Sequence, residues 1–216
     1  MDRARSWHLA TATVATVAVL LQLVLVIRGG LVLDETDPPG PTERVVRFFG
    51  YFTVLSNILV AYVAWSLAVG RAPDRRWWRV LRLDSVVAIA VTGVVHWFLL
   101  RPILQLEGAD RLADTLLHVV VPVLAVTGWV LFGPRHRVRR SDVLPALALP
   151  LLWLAYTLVR GWASGFYPYP FIDVHELGGA RVALNALVIA VLFVVLAWGA
   201  LELDQRLAGR GRPTAG

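Results

Sequence analysis

The chain has no cysteine, no lysine and a single methionine, and only 17% of its 216 residues are charged. The absence of cysteine excludes disulfides, thiolate metal sites and cysteine nucleophiles, and it leaves the redox compartment unreadable. With so little charge and 57% hydrophobic residues, the polar residues cluster between long apolar stretches, a profile suited to lipid rather than water. A crossing takes roughly 20 apolar residues, so six spans with short loops use up the chain and leave no sizeable soluble domain. There is no internal repeat and no low-complexity tract.

Apolar segments fall at about residues 8–28, 49–69, 84–100, 112–132, 143–160 and 179–203, the third being the shortest. The expectation is an all-α, polytopic transmembrane bundle of about six helices in one domain covering residues 1–216. DETDPPGP, RAPDRRWWR, GPRHRVRR and YPYPF supply turn and charge signals between the segments. Arg3 and Arg5 before the run Leu9 to Ile27 resemble a secretory signal, but the run is long and no small-x-small site follows, so it reads as an uncleaved first helix.

All the basic side chains are arginines and the formal charge is +6. In a soluble chain this would point to nucleic acid. Here the arginines concentrate at the N-terminus, in the second loop (Arg71, Arg75, Arg76, Arg79, Arg82), in the fourth loop and in the C-terminal tail. The positive-inside rule then places both termini in the cytoplasm of a cell-membrane protein, and anionic lipid headgroups, not nucleic acid, become the partners of the basic loops. Trp77, Trp78, Trp162, Tyr167 and Tyr169 flank predicted helix ends, where amphipathic rings favour the headgroup region. Glycines at 161, 165, 178 and 179 permit close packing without specifying an oligomer.

With that topology and a rise of about 1.5 Å per residue, Thr53, Asn57, His96, Asp114, His118, Tyr156, Arg160 and Asn185 all fall in the outer half, on five different helices. Polar groups at such depth face a bundle interior or a wet cavity, so an outward-facing polar pocket is expected. Thr53 with Asn57, and Asp114 with His118, share helix faces at a spacing of four. Pro122 lacks the N–H that would bond the His118 carbonyl, so a kink or opening is expected there.

A threonine hydroxyl becomes a nucleophile when a base takes its proton, and imidazole suits that task near neutral pH. Thr53 and His118 are the candidate catalytic pair for cleavage of an ester carbonyl. His96 and Asp114 support them, Asn57 or Ser56 donates to the oxyanion, and Arg101, Arg160, Tyr156 and Asn185 bind substrate. Blander readings stand beside these. Thr53 can bond back to its own helix, His96 can be structural, Asp114 can pair with Arg111 or cap its helix, and Asp84 can cap the third segment at Arg82. The stretch Tyr167 to Phe171 reads as an ordered outer loop that lids the pocket. His96, Asp114, His118 and His175 have no diagnostic metal spacing, so neither a metal nor a cofactor is expected. A non-catalytic lipid or small-molecule binding protein or transporter is the alternative, though inverted repeats are absent; a structural partner of other membrane proteins comes third.

The segments FFGYFTVLSNILV, DTLLHVVVPVLAVTGWVLFGPR and YPYPFIDV together resemble the Pr6Pr family of bacterial six-span membrane proteins over nearly the whole chain. That family resembles at a distance the animal androgen-induced membrane proteins, threonine hydrolases of fatty acid esters of hydroxy fatty acids. The resemblance implies that Thr53, in FTVLSN, and His118, in LHVVVP, hold the positions of the nucleophile and the base. It implies an amphiphilic lipid ester as substrate and says nothing of Asp114.

Overall fold

A computed structural model describes residues 2–29, 39–134 and 138–209. Those residues form an all-helical bundle without strands. The acidic residues Asp34, Glu35 and Asp37 of the first loop, Arg135, His136 and Arg137 of the fourth, and Arg210 and Arg212 of the tail lie outside the described residues.

Helix α1 spans Arg3–Ile27, with Asp2 capping its start. Helices α2 (Pro41–Gly50) and α3 (Phe52–Ala68) follow. Then come α4 (Arg76–Val95), prolonged by a π turn at His96–Leu100 and a 3₁₀ turn at Arg101–Ile103, and α5 (Gly108–Thr115), joined through a π turn at Leu116–Val120 to α6 (Val121–Phe132). The one-turn α7 (Arg140–Val143) leads into α8 (Ala148–Ser164), and the one-turn α9 (Val174–Leu177) into α10 (Gly179–Gly209). Five continuous helical runs are long and apolar enough to cross a bilayer, and the bent pair α2 and α3 makes a sixth if counted as one span.

Four segments differ in their bounds from those read in the sequence. The second segment, expected to run on from residue 49, is broken at Tyr51, whose extended backbone turns α3 by 67° from α2. Gly50 and the polar, amphipathic character of PTERVVRFFG explain why this stretch does not continue the apolar helix. The third segment is not short: Arg76–Ile103 runs for 28 residues, because the tryptophans and arginines ahead of Asp84 remain helical. Asp84 is therefore no cap; it is buried eight residues inside α4. The fifth and sixth helices also run past their expected ends, to Ser164 and Gly209.

Packing follows residue size. Ala12, Ala15 and Ala18 of α1 are fully buried and let α1 lie close along α3. Helix α4 is central, against α3, α6 and α10, while Phe52 packs edge-on to both Trp153 of α8 and Phe193 of α10. The arginine-rich segments gather at one end. There Arg5 donates to Ala68 O at 3.0 Å, Arg82 to Pro134 O at 3.1 Å, and Arg79 Nε meets the buried Asp142 Oδ2 at 3.0 Å. Thr53, His96 and His118 sit toward the other end.

Candidate active site

The break at Tyr51 makes Thr53 the second residue of α3, so its N–H is one of the donors a helix start leaves without an intrahelical partner. Tyr169 supplies the partner: its hydroxyl accepts from Thr53 N at 3.1 Å and lies 3.2 Å from Thr53 Oγ1. The other neighbour of Thr53 Oγ1 is His118 Nε2, at 3.1 Å. Thr53 does not bond back to its own helix; its hydroxyl is held between a tyrosine and a histidine.

His118 lies in the π turn that precedes Pro122, where the missing proline N–H frees a carbonyl and the helix widens. The opening expected at His118 takes this form. Gly93 of α4 lets the widened segment approach, because a Cβ there would stand 3.2 Å from the His118 carbonyl oxygen. The facing segment of α4 also forms a π turn, and it starts at His96. The two imidazoles stack with centroids 3.9 Å apart and planes 11° from parallel.

Asp114 joins them. Its Oδ1 is 2.9 Å from His118 Nδ1 and its Oδ2 is 3.4 Å from His96 Nε2. It points at the two histidines, not at Arg111. An ionised carboxylate only accepts, so His118 Nδ1 carries the hydrogen and Nε2 presents a lone pair to the Thr53 hydroxyl. The Asp114 backbone oxygen, 3.0 Å from the same Nδ1, favours the same tautomer. The arrangement is a relay from Thr53 O–H to His118 to Asp114, with His96 stacked on its base.

Donor atoms of His96, Asp114 and His118 all lie within 4.8 Å of one another, the spread of a cation site. Imidazole lone pairs lie in the ring planes, and a zinc–nitrogen bond is about 2.0–2.1 Å. Midway between near-parallel rings 3.9 Å apart, an ion would sit above both rings rather than in either plane. His118 Nε2 is moreover turned to Thr53. The geometry fits a hydrogen-bonded relay, and His175 is elsewhere, its ring 5.7 Å from that of Tyr167.

The expected oxyanion donors are committed otherwise. Asn57 is fully buried and donates to Thr53 O at 2.8 Å and Leu117 O at 3.3 Å, clamping α3 to the π turn. Ser56 Oγ bonds Thr53 O and Thr92 Oγ1, each at 3.0 Å. Both serve the Thr53 backbone, and Tyr169 takes the place facing Oγ1. The four residues expected to bind substrate do not converge on Thr53 either, because none lines a cavity there. Arg101 lies exposed with its guanidinium over Trp97 at 3.9 Å, and Arg160 pairs with Glu43 at 3.0 Å. Tyr156 faces outward, 52% exposed. Asn185 donates to Phe171 O at 2.8 Å and so steadies the loop that carries Tyr169.

That loop lids the site, as its prolines suggested, and it also inserts a polar atom. Tyr169 is buried, stacked on Phe171 at 5.2 Å and edge-on to Tyr51 at 5.6 Å. Burial pushes its phenol up, so it stays protonated and able to donate. In the sequence it reads only as an aromatic beside a helix end in a proline-bounded loop, and nothing there marks its hydroxyl as a partner of Thr53.

Two cavities meet at Thr53. One, of about 180 Å³, is almost wholly apolar and lies between α4, α8 and α10. The other, of about 30 Å³, gathers the polar groups of His96, Asp110, Asp114, His118 and Gln22 among apolar neighbours such as Leu104, Leu106 and Leu117, and is the more polar of the two. Thr53 and Tyr169 border both, whereas His118 borders only the polar one. No protein-family model, curated protein or solved structure matches the chain.

Proposed function

We propose that this chain is an intramembrane hydrolase of fatty acyl or lipid esters, with Thr53 as nucleophile and His118 as base. The observation that carries the reading is the Thr53–His118–Asp114 relay, with its hydroxyl at the mouth of an apolar cavity. In this reading the protein crosses the cell membrane six times with both termini in the cytoplasm. The arginine-rich end lies against anionic headgroups and the relay in the outer half. The resemblance of FTVLSN and LHVVVP to the Pr6Pr family, and through it to the animal threonine hydrolases, supports the same pair.

The chemistry runs through this chain's own groups. Thr53 Oγ attacks the ester carbonyl carbon while its proton passes to His118 Nε2, and the carbonyl oxygen takes the negative charge. Asp114 holds the resulting imidazolium through Nδ1–H. The Tyr169 hydroxyl and the Thr53 N–H, both beside Oγ1, are the donors available to the oxyanion. The start of α3 adds the positive end of a helix dipole. Collapse breaks the bond to the alcohol, and His118 returns the proton to the departing oxygen. A water then attacks acyl-Thr53 with His118 again as base, releasing the acid. At roughly 10–15 Å³ for each water position, the polar cavity of about 30 Å³ has room for the one water this step consumes.

The test is labelling of purified protein in detergent by a fluorophosphonate, comparing wild type with Thr53→Ala and His118→Ala variants of matching thermal stability. Labelling confined to wild type is expected. Equal labelling of all three would overturn the assignment, and lipid binding without labelling or turnover would favour the non-catalytic alternative.

A further inference from the structure

We infer that the ester enters sideways from the membrane between α8 and α10, that its acyl chain rests in the apolar cavity there, and that Ala190 and Phe193 set the chain length accepted; this rests on the hydrolase reading. On α10, Ala186, Ala190 and Phe193 fall on one face at helical spacing and border the apolar cavity. The two alanines end at Cβ, and the room they leave faces Leu151 and Leu154 of α8. From Ala186 to Phe193 the cavity follows the helix for about 10 Å, at 1.5 Å per residue. Helix α8 borders the bundle here through side chains such as Trp153, against Phe52 and Tyr169, so no helix-on-helix seam closes the gap.

The way in is lateral. Leu151 borders the cavity and is nevertheless 54% exposed, and the outward residues beside the gap, Leu152 and Leu187, are more exposed still. Every one of these groups is apolar, so the opening gives onto hydrocarbon and not onto the polar end of the bundle.

The orientation of the ester follows from which cavity each catalytic group borders. The leaving alcohol must receive its proton from His118, which borders the polar cavity alone. The carbonyl sits at Thr53, which borders both. The acyl chain therefore occupies the apolar cleft, and the alcohol oxygen faces the cavity that His118 borders. At roughly 10–15 Å³ for a water-sized position, about 180 Å³ gives on the order of a dozen or more such positions, enough for a medium-length chain.

The experiment compares kcat/KM for chromogenic acetyl, octanoyl and palmitoyl esters. The variants are Ala190→Phe, which fills the cleft, Phe193→Ala, which deepens it, and Val195→Phe on an exposed part of α10. Wild type is expected to prefer octanoyl over acetyl. Ala190→Phe should cut the octanoyl-to-acetyl ratio by about 10- to 200-fold, the discrimination that apolar pocket contacts provide. Phe193→Ala should raise the palmitoyl-to-octanoyl ratio, and Val195→Phe should change neither. A parallel change for all esters in both cleft variants would overturn the inference. Cross-linking with a diazirine-bearing fatty acid gives a readout independent of turnover. Adducts on Leu151 or Ile189 without any hydrolysis would uphold the cleft and sink the hydrolase reading. Hydrolysis with neither adducts there nor a chain-length response would do the reverse.

Discussion

Replacing Tyr169 with phenylalanine removes one oxygen and keeps the ring that stacks on Phe171 and abuts Tyr51 and Trp153. Two effects are separable. Thr53 N loses its acceptor at 3.1 Å in a buried place, which costs about 1–3 kcal/mol of stability. If the hydroxyl donates to the developing oxyanion, kcat falls by about 10²–10³-fold, equivalent to about 2.7–4 kcal/mol. A thermal melt in detergent reads the first and turnover of a chromogenic octanoyl ester the second. Asn185→Ala is the control: it withdraws the hydrogen bond to Phe171 O and loosens the same loop while leaving the hydroxyl, so it should lower stability with a much smaller loss of kcat. A Tyr169→Phe protein that melts lower yet turns over at the wild-type kcat would refute the oxyanion role and leave Tyr169 a structural brace for Thr53.

Asp114→Asn should lower turnover by about 10⁴-fold at unchanged KM, because an amide N–H facing His118 Nδ1 drives the hydrogen onto Nε2, where it blocks acceptance from Thr53; near-normal turnover would sink the relay. Gly161→Ala drives a Cβ into the edge of the Tyr167 ring, so Tyr167 and the loop behind it must shift. The expected cost is about 1–3 kcal/mol, read as a lower melting temperature together with reduced ester hydrolysis, and an unchanged melt would show that the loop yields freely.

Parts of the site were legible as residue types and depth. Thr53 and His118 stood out because each places a reactive polar group within an apolar helix, and the spacing of four made Asp114 a neighbour of His118 in any helix. His96 was ambiguous, since nothing local says that its ring would stack on that of His118. Proximity along the helix points Asn57 and Ser56 at the oxyanion, but both side chains turn to backbone carbonyls, the nearest acceptors in a dry interior. Arg101, Arg160 and Tyr156 shared the expected depth and not the expected face, a distinction that a one-dimensional estimate cannot draw.

By itself the sequence determined the all-helical class, because apolar stretches of this length satisfy their backbone polar groups in lipid only by bonding within the segment. It also marked the polar side chains set within apolar helices and the place where proline opens a helix. The tertiary structure decided the rest. The turn at Tyr51 exposes the start of α3, the loop after α8 brings Tyr169 to it across 116 positions of chain, and the π turns of α4 and α5–α6 align two imidazoles on one carboxylate. Those are contacts between segments remote in sequence, set by packing and by the need to pair buried donors, and no local pattern encodes them.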